Sequence, residues 1–245
     1  RMGHQQRNQR PAGQDYAPMT RGLFVTGTDT GVGKTTITLG LMQALQARGH
    51  TVTAMKPVAS GCISTPSGLI SDDALRLQGR SSIDVCYDRV NPYAFEPPIA
   101  PHLAAEAVGV RIDIDVIEQA LRCLAAESDQ VLVEGVGGWL VPISQRQTMA
   151  DVALALGLPV IMVVGVTLGC INHALLTAGA VQSAGLRLAG WIANRVDPEC
   201  EKPDAVVRAL GGWLAAPLLA DVSHQSDGAV HAKLAQQIDI APLLS

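Results

Sequence analysis

A glycine-rich stretch near the start of the chain ends in a lysine and two threonines, and residues 24–36 read FVTGTDTGVGKTT. An apolar run precedes the stretch and an apolar stripe with helical spacing follows it, which predicts a strand, a loop and a helix. Backbone N–H groups of such a loop converge on phosphate oxygens at the positive end of the helix dipole. In this pattern Lys34 reaches the β- and γ-phosphates, and the Thr35 hydroxyl binds Mg²⁺. The stretch predicts a site for a nucleoside triphosphate.

The spacing of this phosphate loop departs from the usual pattern. Five residues separate Gly27 from Gly33, where the usual pattern has four. The alternative is a glycine-rich turn between strand and helix that contains a lysine by chance, and the flanking strand and helix argue against it. The predicted nucleotide contacts here are Gly31, Val32, Gly33, Lys34, Thr35 and Thr36.

A second lysine follows the next predicted strand in the segment MKPVASG. Only Lys34 and Lys56 occur in the first 200 residues, and a lysine at a strand's carboxyl end points into the site that the phosphate loop defines. The alternative for Lys56 is a solvated surface lysine. Ser60 lies in the same loop, either as a substrate contact or as a hydroxyl bonded to backbone in a turn.

Two acidic positions are candidates for binding Mg²⁺ together with Thr35. Asp72 and Asp73 precede a short helix, where capping by Ser71 or Asp72 needs only one of these polar side chains, so Asp73 is the predicted metal ligand. Glu134 ends the buried strand VLVE, and glycines follow it in GVGG. Phosphate-loop proteins place a metal-linked acid at the end of such a strand. Glycines permit close approach of backbone to a ligand, which favours Gly135, Val136 and Gly137 as nucleotide contacts.

Two further candidates stand at element ends. The segment LGCINH, residues 168–173, opens a helix whose free N–H groups could hold a carboxylate near Cys170 and Asn172; a plain cap by Asn172 is the alternative. Cys170 could have a lowered pKa there, but the sequence shows it no histidine or acid partner. Asn194 ends the strand WIAN, where its amide could match the adenine edge or simply start a turn. His102 and His173 each stand alone and are taken as structural.

Strands and helices alternate along the chain. Strands are predicted at 22–26, 52–56, 131–134, 160–166, 188–194 and near 216–219, and helices at 33–48, 113–128, 149–156, 171–184 and 204–214. Gly49, Gly157 and Gly185 end three of these helices. The order predicts an α/β fold, a mainly parallel sheet with helices on both faces in three layers, with ligands at the carboxyl ends of the strands. Residues 57–101 are irregular, with only short helices, and long loops of this kind are functional or disordered.

Composition narrows the classes of protein and of partner. With 245 residues, of which 48% are apolar, residues 22–245 are predicted to form one domain. The net charge of −4 argues against nucleic acid as a partner. Five cysteines with no C-x-x-C pair support neither a disulfide framework nor a zinc site, and indicate a reducing cytoplasm.

Two segments differ in composition from the rest of the chain, one at the N-terminus and one that is strongly apolar. Residues 1–21 are rich in Gln and Arg and are predicted to be a disordered extension or an expression remnant. Residues 152–171 are apolar enough to resemble a membrane span, but Pro159 and three glycines divide them into a helix end, a break and a buried strand. No membrane segment is predicted.

Taken in order, these pieces resemble the dethiobiotin synthetase family. The resemblance runs from about residue 24 to residue 219, and segments 56–61 and 169–173 are its specific parts. The five-residue glycine gap is itself a feature of that family. The matching segments are 25–30, 32–35, 56–61, 73–75, 90–93, 131–135, 137–139, 163–166, 168–174 and 189–191.

The resemblance implies an ATP-dependent enzyme that closes the ureido ring of dethiobiotin on 7,8-diaminopelargonate, with carbon dioxide and MgATP as the other substrates. It implies Lys34 and Lys56 as catalytic residues, and Thr35, Asp73 and Glu134 as the Mg²⁺ ligands. Substrate contacts are then Ser60 and, from the neighbouring subunit of a homodimer, the helix start with Cys170 and Asn172. Asn194 is the implied adenine contact.

The sequence departs from the family's pattern at positions that bear on recognition of the nucleobase. Gly31 stands where the family often has Glu, Arg195 follows Asn194 where an acid is common, and the chain after Leu219 does not match the usual nucleotide-contacting segment. Tolerance of nucleotides other than ATP is therefore a hypothesis.

The main alternative is a switch ATPase of the partitioning type, which acts as a binding protein. Such proteins carry an extra signature lysine within the loop, and Asp29 stands at that position here. A cobyrinate-type amide synthetase would need a glutaminase domain for which no chain length remains.

Overall fold

The structure is a computed structural model that describes residues 22–224 and 230–244, with the backbone alone for residues 230–233. The predicted extension 1–21 lies outside the described residues. The described strands are β1 (Gly22–Gly27), β2 (Val52–Met55), β3 (Val58–Ser60), β4 (Ile63–Thr65), β5 (Gly68–Ile70), β6 (Tyr93–Phe95), β7 (Gln130–Glu134), β8 (Val160–Gly165), β9 (Leu188–Asn194) and β10 (Leu218–Val222).

Helices alternate with these strands. They are α1 (Lys34–Gln46), α2 (Asp72–Arg80), α3 (Tyr87–Val90), α4 (Pro101–Ala107), α5 (Ile114–Glu127), α6 (Met149–Leu156), α7 (Cys170–Ser183), α8 (Pro203–Trp213) and α9 (Val230–Gln237), followed by a 3₁₀ turn at Ala241–Leu243. Within the described ranges, no helix is both long and apolar enough to cross a membrane.

Six of the strands form one sheet in the order β10-β9-β8-β1-β7-β2, and every neighbouring pair is parallel. Consecutive residues of the central strands enter opposite apolar layers: Phe24 and Val133 pack with α5 and α6, whereas Val25 and Leu132 pack with α1 and α9. A parallel strand that is covered by helices on both faces is apolar throughout for this reason. The predicted three-layer α/β fold is confirmed.

Most predicted elements agree with the structure to within two residues, and the last strand is the exception. The prediction placed a strand near 216–219, but β10 spans Leu218–Val222. Pro217 lies just before β10, and its carbonyl accepts a hydrogen bond from Trp191 N at 3.0 Å. Because proline has no N–H to donate, regular pairing begins only after it.

The segment 57–101 is more ordered than its composition indicates. It contains two small additional sheets, the parallel pair β3–β6 and the antiparallel pair β4–β5, as well as α2 and α3. Each of these strands has three residues, too few to show the alternation that reveals a strand in sequence. The sheet pair β3–β6 carries Ser60 towards the carboxyl edge of the main sheet.

Candidate functional site

The carboxyl ends of β1, β2 and β7 meet at one edge of the sheet, where the phosphate loop, Lys56 and Glu134 lie. A cavity of about 370 Å³ opens there. Its lining includes most of the predicted site residues: Gly31, Gly33, Lys34, Thr35, Thr36, Lys56, Ser60, Asp73, Glu134, Val136 and Gly137. The structure thus brings together residues that are up to about a hundred positions apart in the chain, as expected for a doubly wound sheet.

The phosphate loop follows β1 and leads directly into α1. Gly31 and Gly33 have φ values of 76° and 86°, a left-handed conformation that favours glycine. Gly33 precedes the first residue of α1 and supplies no side chain to cap the helix. The first N–H groups of α1 therefore face the cavity without an internal partner, as an anion site requires.

Lys34 lies within the loop rather than in solvent. Its Nζ donates to the Asp29 carbonyl at 2.9 Å, and its side chain is buried. Burial and the nearby charge of Lys56 lower the pKa of Lys34 to about 8. A phosphate group that replaced the Asp29 carbonyl as its partner would favour the charged form.

Lys56 lies between two carboxylates in the centre of the cavity. Its Nζ is 2.5 Å from Glu134 Oε1 and 3.0 Å from Asp73 Oδ2. The Thr35 hydroxyl donates to the same Glu134 Oε1 at 2.8 Å. Lys56 is 5% exposed and Glu134 is 0% exposed, so this cluster interacts at short range with little screening.

The acids set the charge state of Lys56. Burial by itself lowers the pKa of Lys56, but the carboxylates of Glu134 and Asp73 outweigh burial and raise it. For Asp73, burial by itself raises the pKa, while the ammonium of Lys56 outweighs it and holds the pKa below its usual value. The two carboxylates therefore favour the charged, ammonium form of Lys56.

The same cluster fits a divalent cation. Glu134 Oε2 is buried and has no hydrogen-bond partner among the described residues, and Thr35 and Asp73 present oxygens to the same space. Mg²⁺ binds through one or two carboxylates together with phosphates and water rather than through an all-protein cage. Among the described side chains, no group of three or more His, Cys, Asp or Glu is placed to hold a metal ion.

Comparison with known proteins identifies the family. A family model described as an AAA domain matches residues 21–229. An ATP-dependent dethiobiotin synthetase from Xanthomonas campestris pv. campestris (strain 8004) is 52% identical over 195 residues, covering 80% of this chain and 87% of that protein. One from Pseudomonas paraeruginosa (strain PA7) is 50% identical over 222 residues, covering 90% and 97%. This chain belongs to the dethiobiotin synthetase family.

Two solved structures illustrate the shared fold. The septum site-determining protein MinD of Pyrococcus horikoshii, complexed with Mg-ADP, has a TM-score of 0.53 and 19% identity, covering 90% of this chain and 87% of its own. A ParA family ATPase from Chlorobium tepidum has a TM-score of 0.51 and 15% identity, covering 92% of each chain. At these identities the likeness shows the fold alone. The partitioning-type ATPase alternative is not favoured, because the relatives at about 50% identity are dethiobiotin synthetases.

The structure also decides between alternatives at several positions in this dethiobiotin synthetase family member. Ser71, not Asp72, caps α2, accepting from Ala74 N at 3.4 Å, which leaves Asp73 free to face Lys56. The Ser60 hydroxyl is buried with no partner in the described part of the chain, so the backbone-bonded turn is wrong for it. An unpartnered buried hydroxyl inside the cavity favours a ligand contact.

Five predicted site residues lie outside the cavity lining. Val32 is buried, Gly135 lies against Phe24 and the Val25 carbonyl, and Asn194 donates from Nδ2 to the Val32 carbonyl at 2.8 Å. Asn172 is exposed and does not cap α7, which begins after Gly169. Cys170 is buried, and burial raises the pKa of its thiol. The predicted lowering of this pKa at the helix start is therefore wrong, because burial of the thiol has the largest effect on it.

Sequence reasoning missed three polar residues of the cavity lining, Thr30, Ser71 and Arg76. Arg76 follows Asp73 by three positions on α2, a spacing that places both on one helix face. That spacing was the available signal for Arg76. In addition, His173 lines a second cavity of about 410 Å³ with Trp139, Leu140 and Leu176.

Proposed function

We propose that this chain is an ATP-dependent ligase that forms the ureido ring of dethiobiotin from 7,8-diaminopelargonate and carbon dioxide. The observation that carries this proposal is the ion-paired cluster of buried Lys56 and Glu134 with the partly exposed Asp73, beside the phosphate loop, in a chain of that family. Such a cluster can neutralise the charge of a transferred phosphoryl group and hold the cation that accompanies it.

The proposed reaction has three steps. One amine attacks the carbon of carbon dioxide and loses a proton, which gives a carbamate. A carbamate oxygen then attacks the γ-phosphorus of ATP, and ADP leaves. Finally, the second amine attacks the carbamoyl carbon and loses a proton, phosphate leaves, and this second C–N bond closes the ring. Lys34 and Lys56 supply positive charge around the phosphoryl group in the second step, where positioning and neutralisation matter more than covalent help.

Thr35, Asp73 and Glu134 would hold Mg²⁺ in this proposal. The bound cation would neutralise charge on the phosphate oxygens. Lys56 contacts both carboxylates, so its ammonium must give up part of these contacts when the cation and the nucleotide bind. The side chain is then available to the carbamate and the γ-phosphate, which gives Lys56 an electrostatic role.

The substrate contacts in this proposal come from two subunits of a homodimer. Ser60 would contact the diamine inside the cavity, and Cys170 and Asn172 at the start of α7 would bind the substrate carboxylate of the neighbouring subunit. Exposed apolar side chains near α7 support such an interface: Leu140 is 64% exposed, Leu168 100% and Leu176 66%. Apolar surface grouped in this way is typical of an interaction site.

The proposal also covers the compartment in which the chain acts and its domain organisation. The chain acts in the cytoplasm, which is supported by its five free thiols, all at described positions. Residues 22–245 act as one domain, which is supported by the contact of α9 with α1.

The deciding experiment measures ADP release by the purified chain with MgATP and bicarbonate, with and without 7,8-diaminopelargonate, and identifies the product by mass. We expect release that depends on the diamine, with the ureido product. ADP release that ignores the diamine would remove the ligase proposal. Repeating the assay with GTP and CTP tests base selection: equal turnover supports tolerance, and strict use of ATP excludes it.

A further inference from the structure

Asn194, at the end of β9, contacts the phosphate loop although it does not line the phosphate cavity. Its Nδ2 donates a hydrogen bond of 2.8 Å to the carbonyl oxygen of Val32, which is 162 positions away in the chain. The resemblance implies an adenine contact for Asn194, and this prediction stands untested. The hydrogen bond gives the same side chain a direct contact with the phosphate loop.

The orientation of one peptide group follows from this contact. The Val32 carbonyl and the Gly33 N–H belong to the same planar trans peptide, so they point in opposite directions. Because Asn194 holds the carbonyl on its own side, the Gly33 N–H is directed away from Asn194, and Gly33 lines the phosphate cavity. A fixed N–H in this position is a donor for a phosphate oxygen.

The Val32 side chain is closely packed. It is 6% exposed and fills space that two glycines leave open at the ends of β1 and β8. A Cβ at Gly27 would lie 2.7 Å from Val32 Cγ2, and one at Gly165 would lie 2.9 Å from Val32 Cγ1. Packing thus positions the Val32 side chain. The hydrogen bond from the Asn194 amide restrains the orientation of the Val32 carbonyl.

Gly33 is required here for two separate reasons. Its φ of 86° belongs to the left-handed region, and a Cβ at this position would overlap Asn194 Nδ2. The Asn194 amide therefore lies directly against the loop backbone at Gly33.

Asn194 is itself well supported. Its carbonyl accepts from Val166 N at 2.8 Å, which joins the ends of β8 and β9. The next residue, Arg195, donates to both carboxylate oxygens of Asp221 at 2.8 and 2.6 Å and to Asp204 at 2.5 Å. Paired, forked contacts of this kind fix a side chain in one geometry, and they tie the end of β9 to β10 and α8.

We infer that Asn194 is a positioning residue for phosphate binding: by holding the Val32 carbonyl it orients the Gly33 N–H, so it contributes to the affinity for a triphosphate that carries no base. This inference rests on the proposed function only in taking the cavity as a triphosphate site.

The test compares inorganic tripolyphosphate with ATP, both with Mg²⁺, by titration calorimetry on the full chain. Asn194→Leu removes the donor without adding charge, and Asn194→Ser is the milder second variant. We expect tripolyphosphate affinity to fall about tenfold in Asn194→Leu, equivalent to about 1.4 kcal/mol. ATP affinity should fall by at least the same factor. Thermal melting without ligand identifies a variant that fails to fold, in which case the other variant decides.

The outcomes separate this inference from the proposed function. Weaker ATP binding with unchanged tripolyphosphate binding would overturn it and leave Asn194 as a base contact alone. Failure of the wild-type chain to bind tripolyphosphate would also overturn it. If diamine-dependent ADP release were absent but tripolyphosphate binding still depended on Asn194, the ligase proposal would fail and the positioning role would stand. A rise in the KM for ATP at unchanged kcat is the corresponding kinetic result.

Discussion

Lys56 makes the closest charged contacts in the site, and its two partners are the carboxylates that a metal ion would need. In the structure its ammonium occupies the space between Asp73 and Glu134. Removing it would leave the buried Glu134 carboxylate and the partly exposed Asp73 carboxylate without the ammonium between them, and a buried charge that loses its partner is costly. The same substitution is therefore expected to change both catalysis and the electrostatics of the site.

Substitution of Lys56 distinguishes an electrostatic role from that of a base. We expect Lys56→Arg to keep partial activity, because arginine remains charged, and Lys56→Met to lose about 10²–10³-fold in kcat. The measurement is diamine-dependent ADP release at saturating ATP. Lys202→Arg, an exposed lysine remote from the cavity, is the matched control and should be unchanged. Complete loss of activity in Lys56→Arg would indicate a neutral amine.

The lowered pKa of Lys34 predicts proton uptake on nucleotide binding. With a pKa of about 8 in the free protein, Lys34 is mostly neutral at pH 9, whereas a bound phosphate favours its ammonium form. Binding at pH 9 should therefore take up protons, and ATP affinity should fall as pH rises above about 8. The phosphates of ATP do not contribute, since their last pKa is near ~6.

Calorimetry in buffers of different ionisation enthalpy measures this uptake directly. Lys34→Arg is the control, because arginine stays charged in both states and should abolish the uptake. Equal proton counts for the wild type and Lys34→Arg at pH 9 would contradict the assignment to Lys34.

At the scale of elements, periodicity and strand-end chemistry predicted the parts of the fold that are long and regular. β1, β7 and β8 are apolar runs ended by glycine or an acid, and α1 has a regular apolar stripe, so their positions followed from local sequence. Local sequence holds no comparable signal for β3 and β6, whose pairing joins residues more than 30 positions apart. α9 was also missed, because most of its residues are polar or small and its anchoring depends on α1.

For the site, too, local sequence predicted single residues but not the contacts between distant parts of the chain. Residues with distinctive chemistry at strand ends, such as Lys56 and Glu134, could be predicted individually. Their mutual contacts could not, because they depend on the strand order of the sheet. The hydrogen bond from Asn194 to Val32 is the clearest example: both residues were predicted, but as separate nucleotide contacts.

The contact between α9 and α1 predicts a stability difference between two glycine substitutions. A Cβ at Gly40 would lie 2.6 Å from Leu234 Cδ2, and overpacking of this kind costs about 1–3 kcal/mol, against about 1 kcal/mol gained from helix propensity. We expect Gly40→Ala to lower the free energy of unfolding by up to about 2 kcal/mol. Gly211→Ala in α8 meets nothing within 4 Å and should not lower it. Denaturant unfolding measures both, and equal gains would contradict the prediction.

At the scale of the whole molecule, the proposed homodimer requires a surface near the start of α7. Leu140 and Leu176 are both exposed and line the cavity of about 410 Å³ beside His173. That cavity lies against residues 138–142 and the phosphate loop residues Thr28 and Asp29. A partner on this face would therefore be adjacent to the active site.

A charge on this surface should break the dimer. We expect Leu176→Arg to halve the mass measured by light scattering at micromolar concentration and to raise the KM for the diamine. Trp213→Arg, at an exposed aromatic residue on α8, is the control and should leave the mass unchanged. A wild-type chain that is already monomeric at this concentration would count against a site shared between subunits.

The position of α9 against Gly40 has a consequence for motion. α1 starts at the phosphate loop and carries on its far face the notch that Leu234 fills. A ligand that anchors the start of α1 therefore also restrains the helix packed on its middle. Backbone amides of α9 should then exchange with deuterium more slowly when ATP is bound, although they lie far from any phosphate.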